Sequence, residues 1–167
     1  IRNTVGSMDF GGSTLNKYYN ARNDSTTRTS RRITSDVFAL ATAVLFQSPV
    51  QHFALTPNNL TDAPEWAINF MKEVPSTWDE VRFLDGYPGK YIILARRYQN
   101  KWYIAGINAS SEEIKVKLHL PMISAGETIS VYTDNARLVG KTSTEKLNKH
   151  QQLQVSIPCN GGIVIVN

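Results

Sequence analysis

The side chains of this 167-residue chain best suited to acid–base chemistry are its fourteen carboxylates. A hydrolytic site of this kind needs two carboxylates that face each other across the substrate. Most of the acids have a structural interpretation: Asp36 and Asp62 stand at predicted helix starts, and Asp85 stands in a predicted turn. No spacing along the chain brings two of them together as a pair. The sequence therefore predicts no catalytic residue.

Asp9 is the acid with the strongest case for a functional role. It follows a predicted strand over residues 2–5 and precedes Gly11 and Gly12. In barrel enzymes, the loops that leave the carboxyl ends of strands carry the functional residues. We predict that Asp9 contacts substrate by a hydrogen bond without taking part in catalysis. The alternative is an aspartate that only forms a turn.

Other side chains with chemical potential lack partners at a useful spacing. Cys159 is the only cysteine, and no histidine is placed to activate it, so a small apolar filler is predicted. No metal-ligand spacing and no phosphate-binding loop is present. Among the aromatic residues, Trp66 and Trp102 are predicted core residues, whereas Trp78 and Tyr87 could stack on a ligand.

The charge distribution and the lengths of the apolar runs argue against nucleic acid and a membrane as partners. The net charge is +4, and the whole excess lies in residues 1–32, which hold six basic and two acidic residues. Nucleic-acid binding favours a basic face with interleaved aromatic residues, whereas this segment is rich in Ser, Thr and Asn. No apolar run approaches the ~20 residues that cross a membrane. We expect neither nucleic acid nor a membrane span.

The first part of the chain is predicted to be helical. Thr34, Ser35 and Asp36 are candidate N-caps, and a stripe of buried residues follows at helical spacing: Val37, Leu40, Ala41, Val44 and Leu45. Pro49 ends this helix. A second helix is predicted to begin at Asp62 and to end at Pro75. Between residues 6 and 32 the chain is polar and aperiodic, which predicts a long loop.

From Trp78 onward the apolar period is two, which is typical of strands. Two turn signals, Asp85-Gly86 and Pro88-Gly89, follow the first strand. Gln99-Asn100 then joins two predicted strands, Tyr91–Tyr98 and Lys101–Asn108, in a hairpin. About seven strands separated by turns predict an antiparallel β-sandwich. His119 falls on its wet face. We also expect no exposed aromatic platform, and so a supporting rather than a sugar-binding role.

Three stretches of the chain form an ordered set of motifs: residues 2–10 read RNTVGSMDF, residues 47–52 read QSPVQH and residues 70–80 read FMKEVPSTWDE. Together they resemble glycoside hydrolase family 97. Two departures concern loop geometry: Gln47 stands where the family often has Glu, and Gly11-Gly12 stands where it often has Thr-Pro-Gly.

The resemblance implies an exo-acting α-glycosidase, either an α-glucosidase or an α-galactosidase. Such enzymes have an amino-terminal β-sandwich, a central (β/α)8 barrel that uses calcium near its catalytic carboxylates, and a carboxy-terminal β domain. Residues 1–76 would be the end of the barrel, its last strand and helices. Residues 77–167 would be the carboxy-terminal antiparallel β-sandwich. The catalytic and calcium-binding carboxylates would precede this chain, so we expect the chain alone to be inactive and to bind no metal.

The same resemblance implies a periplasmic enzyme acting on α-linked oligosaccharides, with the preceding barrel and amino-terminal domain as partners. The loop over residues 6–32 would then lie at the carboxyl-end rim of the barrel. The alternative is a stand-alone carbohydrate-binding or structural β-sandwich module. A start at Ile1, inside a predicted strand, favours the enzyme. Glucose or galactose preference, and inversion or retention, are left open.

Overall fold

A computed structural model describes residues 6, 9–12, 15, 32–55, 57 and 59–167. The first part contains five short elements: β1 (Phe10–Gly12), α1 (Asp36–Leu45), β2 (Gln51–Phe53), α2 (Asn59–Asp62) and α3 (Glu65–Glu73). The second part contains eight strands: β3 (Glu80–Tyr87), β4 (Tyr91–Tyr98), β5 (Lys101–Asn108), β6 (Ile114–His119), β7 (Thr128–Asp134), β8 (Gly140–Lys146), β9 (Gln152–Ile157) and β10 (Gly162–Val166). The predicted strand over residues 2–5 lies outside the described residues.

The first three elements form a β–α–β unit. β1 and β2 pair in parallel, with Phe10 opposite Gln51 and Gly12 opposite Phe53, and α1 connects them. The Gln51 amide also donates to the carbonyl of Ala43 at 2.9 Å, which fastens β2 to the helix. The sequence predicted a loop at Gly11-Gly12 and no strand at β2. Both predictions were wrong, because three-residue strands are too short to show a period and form through a distant partner.

α1 begins where the sequence predicted. Ser35 is its N-cap, and the Ser35 hydroxyl accepts a hydrogen bond from the Phe38 amide at 2.8 Å. All five residues of the predicted stripe are fully buried, and Ala39, Thr42 and Ala43 are buried as well. The helix therefore has neighbours on more than one side. It ends at Leu45, and Phe46 already has extended backbone angles.

The second predicted helix begins later than expected. Asp62 is the last residue of α2, and the N-cap of α3 is Pro64, which forms no side-chain cap. The Pro64 carbonyl accepts from the amides of Ala67 and Ile68 and so starts the helix. Asp62 as a cap is therefore a wrong prediction. The end is as predicted, since Val74 is extended before Pro75.

The eight later strands form two antiparallel sheets. Six strands pair in the order β3-β4-β5-β10-β7-β8, and β6 pairs with β9. β4 and β5 have the predicted bounds. β8 was not predicted, because its residues are mostly polar and exposed and show no apolar alternation.

One predicted turn is in fact a strand. Asp85 and Gly86 lie inside β3, opposite Ile93 and Ile92, after an irregularity in pairing at Leu84. Gly86 has φ +153°, and a Cβ there would lie 2.9 Å from the carbonyl oxygen of Tyr91, so the position requires glycine. The reversal occurs only at Pro88-Gly89.

The six-stranded sheet is the middle layer of three. One core cluster lies between this sheet and the β6–β9 pair, and it includes Ile104, Leu118 and Ile157. A second cluster lies between the opposite face and the helices, and it includes Leu40, Phe70 and Val164. The antiparallel β-sandwich predicted for the second part is thus present, with a helical layer packed on its outer face.

Candidate functional site

Asp9, the predicted substrate contact, is exposed and directly precedes β1. It therefore lies at the amino end of that strand. Most of the predicted loop over residues 6–32 lies outside the described residues. Within it, Leu15 is fully buried in the helix-side cluster, and its carbonyl accepts from the side-chain amide of Asn59 at 3.1 Å. Contact between Asp9 and substrate stays a prediction.

The tryptophans pack inside the molecule. Trp102 is 6% exposed in the sandwich core, with the Arg82 guanidinium 4.8 Å from its ring centre. Trp66 packs against Tyr132, with centroids 5.8 Å apart, and Trp78 meets Tyr103 edge-on at 5.3 Å. Trp66 and Trp78 are thus partly buried parts of the helix–sheet interface.

The described residues offer no metal centre. They contain no group of three or more His, Cys, Asp or Glu side chains placed to hold a metal ion. The calcium expected from the family resemblance has no fitting ligand set in this part of the chain. His119 is exposed, as predicted. Cys159 lies half-buried in the turn before β10.

A buried arginine joins the end of α1 to the sheet. Arg96, on β4, has no exposed surface, and its guanidinium donates to the carbonyl of Leu45 at 3.0 Å and to the side-chain oxygen of Gln47. The guanidinium also lies 5.9 Å from the ring centre of Trp78. Burial lowers the pKa of Arg96 from its usual value. Gln47 is thus a structural contact of the helix–sheet junction.

A buried aspartate joins the start of α1 to the same sheet. One Asp134 carboxylate oxygen accepts from the Ser35 hydroxyl at 2.5 Å and from the Gly162 amide at 2.8 Å. Burial raises the pKa of Asp134, and these two hydrogen bonds oppose the rise. A Cβ at Gly162 would lie 2.6 Å from the Phe38 amide nitrogen, so glycine allows the helix to approach β10. α1 is thereby anchored to the sheet at both ends.

An apolar groove opens on the helix-side face at the β3 edge, and we call it the β3–β4 groove. Its volume is about 610 Å³, and its lining includes Phe46, Val81, Phe83, Tyr87, Ile92 and Ile107. Phe83 is 66% exposed and Tyr87 62% exposed. The expectation of no exposed aromatic platform was therefore wrong. Sequence reasoning missed the groove because Val81 and Phe83 look like ordinary core positions of a strand.

A family model matches most of the β region. The model for the glycosyl-hydrolase 97 carboxy-terminal region, described as an oligomerisation region, matches residues 77–166, which is more than half of the chain.

None of the described helices has the length and apolar character that crossing a bilayer requires.

Individual relatives are longer proteins. A retaining α-galactosidase of Bacteroides thetaiotaomicron is 34% identical over 131 residues, which is 75% of this chain and 20% of that enzyme. A β-arabinopyranosidase of known structure is 50% identical, with a TM-score of 0.90, over 99% of this chain and 26% of that one. A glycoside hydrolase family 97 enzyme from Pseudoalteromonas sp. strain K8, solved with acarbose, is 22% identical over 96% of this chain and 26% of the enzyme. The TM-score of 0.79 shows that the two share a fold. The chain thus spans about a fifth of the length of the curated relatives it matches.

Proposed function

Because this chain belongs to glycoside hydrolase family 97, we propose that it is the carboxy-terminal part of a longer exo-acting glycosidase. The observation that carries the proposal is the family match over residues 77–166, together with relatives about four times as long. The full-length protein would hydrolyse a terminal glycosidic bond with carboxylates that precede this chain. Apart from Asp9, the described residues would support that site rather than form it.

The relatives narrow the class of sugar that we propose. One is a retaining α-galactosidase and another, at 50% identity, a β-arabinopyranosidase. A β-L-arabinopyranosyl group has the ring configuration of an α-D-galactopyranosyl group and lacks only the exocyclic hydroxymethyl. We propose a substrate with this configuration, cleaved with retention. Discrimination between the two sugars would depend on whether the pocket has room and hydrogen-bond partners for the hydroxymethyl group.

We also propose the division of the chain into two units. Residues 1–76 would end the (β/α)8 barrel, and residues 77–167 would form the carboxy-terminal β domain. The parallel β1–α1–β2 unit supports the first assignment, since (β/α)8 barrels consist of such repeats. The start of the family match at residue 77 supports the second. The segment after β1 leaves the carboxyl end of that strand, and we propose that it lines the sugar site.

Four further properties belong to the proposed full-length enzyme. Asp9 follows the predicted strand over residues 2–5, and on that ground it would accept a hydrogen bond from the sugar without transferring a proton. Calcium would be held by residues that precede this chain, and the enzyme would be periplasmic, in line with the family resemblance. The description of the matching family region supports contacts between copies of the β domain.

The direct test compares the full-length protein with residues 1–167 alone on four p-nitrophenyl glycosides. We expect the full-length protein to cleave the β-L-arabinopyranoside or the α-D-galactoside, and the short chain to cleave none. Cleavage of the α-D-glucoside alone would reject the proposed configuration. No cleavage of any of these glycosides, including the β-D-galactoside as control, would reject the proposed activity.

A further inference from the structure

Among the described residues, the helical layer leaves the β3 edge of the sheet exposed. α1 packs chiefly on β5 and β10. α3 lies next to it, where Phe70 and Trp66 contact Tyr132 of β7 and Trp66 also reaches Gly140 of β8. Strands are about 4.8 Å apart and packed helices 8–10 Å apart, so one helix covers about two strands. Six strands accommodate three helices, and no described helix lies over β3. The end of α1 reaches β4, where Leu94 and Arg96 are buried.

The side chains at this uncovered edge are apolar and exposed, as in an interface without its partner. Val81 and Phe83 pair with Arg96 and Leu94, so they face the helical side of the sheet. Val81 is 48% exposed and Phe83 66% exposed, although both lie beside the buried helix-side cluster. The groove continues into the α1 interface, since Phe46, the residue directly after α1, forms part of its wall. An exposed apolar surface continuous with a core is expected to be covered.

The order of elements indicates which segment would cover it. In a (β/α)8 barrel the helices follow one another around the ring in chain order. α3 follows β2 and lies on one side of α1. The helix of the repeat before β1 would therefore lie on the other side of α1, which is the side of β3 and β4.

We propose that the β3–β4 groove receives an amphipathic helix from the same polypeptide, the barrel helix that precedes β1. This inference rests on the proposed function, because it requires a barrel upstream. The helix would present apolar residues to Val81, Phe83 and Ile92, and the rim would meet Lys90 and Tyr87, whose charged and aromatic groups lie 5.2 Å apart. The groove would then be an internal contact of one subunit and not a surface between copies.

Hydroxyl-radical labelling of the wild-type full-length protein tests whether the β3–β4 groove is covered, and it requires no substitution. We expect Phe83 to be labelled as slowly, after correction for intrinsic reactivity, as Phe70, which is 4% exposed. Leu60 and Val139, which are 70% and 55% exposed, serve as open controls. Labelling of Phe83 as fast as these controls would overturn the proposal, and so would protection that disappears on dilution, because that would indicate a second copy.

Photo-crosslinking identifies the occupant. Phe83→p-benzoylphenylalanine in the full-length protein should crosslink to a peptide from the barrel helix that precedes β1. The crosslinked product should keep the mass of the monomer. Val139→p-benzoylphenylalanine should not give this peptide. A product of twice the mass, or a crosslink to another domain, would overturn the proposal. Neither readout depends on glycosidase activity, so failure here and failure of the proposed function are separate results.

Discussion

Arg96 on β4 closes the carboxyl end of α1 by donating to the carbonyl of Leu45 at 3.0 Å. Helix ends leave carbonyl groups without intrahelical partners, and in a buried position such groups need a donor from elsewhere. Here the donor comes from the sheet, about fifty residues later in the chain. The hydrogen bond therefore fixes both the end of the helix and the position of the helix on the sheet.

Arg96→Lys should destabilise the full-length protein by about 1–3 kcal/mol, because lysine keeps the buried charge but cannot satisfy Leu45 and Gln47 together. The measurement is urea unfolding followed by tryptophan fluorescence. Arg97→Lys is the matched control: Arg97 is the next residue, and it forms partly exposed ion pairs with Asp79 and Glu80. That control should cost less than about 1 kcal/mol. Equal effects of the two variants would contradict this role of Arg96.

Gly162→Ala should also destabilise the protein, by about 1–3 kcal/mol, because the new methyl group would overlap the backbone of α1. Thermal unfolding measures the effect. The control is Gly11→Ala, since a Cβ at Gly11 would meet nothing within 4 Å. If Gly162→Ala leaves the melting temperature unchanged, α1 is not held against β10 as closely as described.

Asp134 should make stability depend on pH in an unusual direction. Burial raises the pKa of Asp134 in the folded state, so protonation favours the fold. This stabilisation is complete below the ordinary aspartate pKa and is lost as pH rises through the raised value. The melting temperature of the wild type minus that of Asp134→Asn should therefore decrease between acidic and neutral pH.

Glu113 provides a control of opposite sign for this measurement. The Ser156 hydroxyl donates to Glu113 and, with Lys115 nearby, lowers the pKa of that carboxyl. The stabilisation that Glu113 gives the folded state is complete above the ordinary glutamate pKa and is lost as pH falls through the lowered value. The corresponding difference for Glu113→Gln should increase with pH. Parallel trends for the two variants would contradict the assigned direction for Asp134.

Asp9→Ala in the full-length enzyme should lower kcat/KM at least ten-fold, because a hydrogen bond to a charged group contributes about 1.5–3 kcal/mol. Asp9→Asn should keep part of the activity, since the amide oxygen still accepts a hydrogen bond. Glu112→Ala, at an exposed position between β5 and β6, is the control. A lower melting temperature with unchanged kinetics would indicate a structural role at the amino end of β1.

The sequence predicted the elements whose signal is local. The N-cap Ser35, the buried stripe of α1 and the bounds of β4 and β5 all follow from capping and periodicity within a few residues. Asp85-Gly86 carried a local turn signal, but pairing with β4 kept these residues in a strand. The polar strand β8 lacked a local signal and depends on β7.

The polar residues of the helix–sheet junction were beyond sequence reasoning for a different reason. Alternation shows which residues share a face of a strand, but not whether that face is dry. Both faces of the six-stranded sheet are covered at β4 and at β7, so Arg96 and Asp134 are buried although polar residues in a sandwich are usually wet. The β3–β4 groove is the reverse case, because its apolar residues look buried in the sequence and are exposed.

The double anchoring of α1 has a mechanical consequence. The same helix connects the two parallel strands and is held by Ser35, Arg96 and Gly162 against the six-stranded sheet. Domains that open and close around a ligand rotate about a flexible hinge between separate bodies. In the described part of the chain, α1 belongs to the first proposed unit and is fixed to the sheet of the second, which leaves no such hinge at their junction. We therefore expect substrate access to depend on movements of individual loops, with the β domain and the β–α–β unit moving as one rigid body.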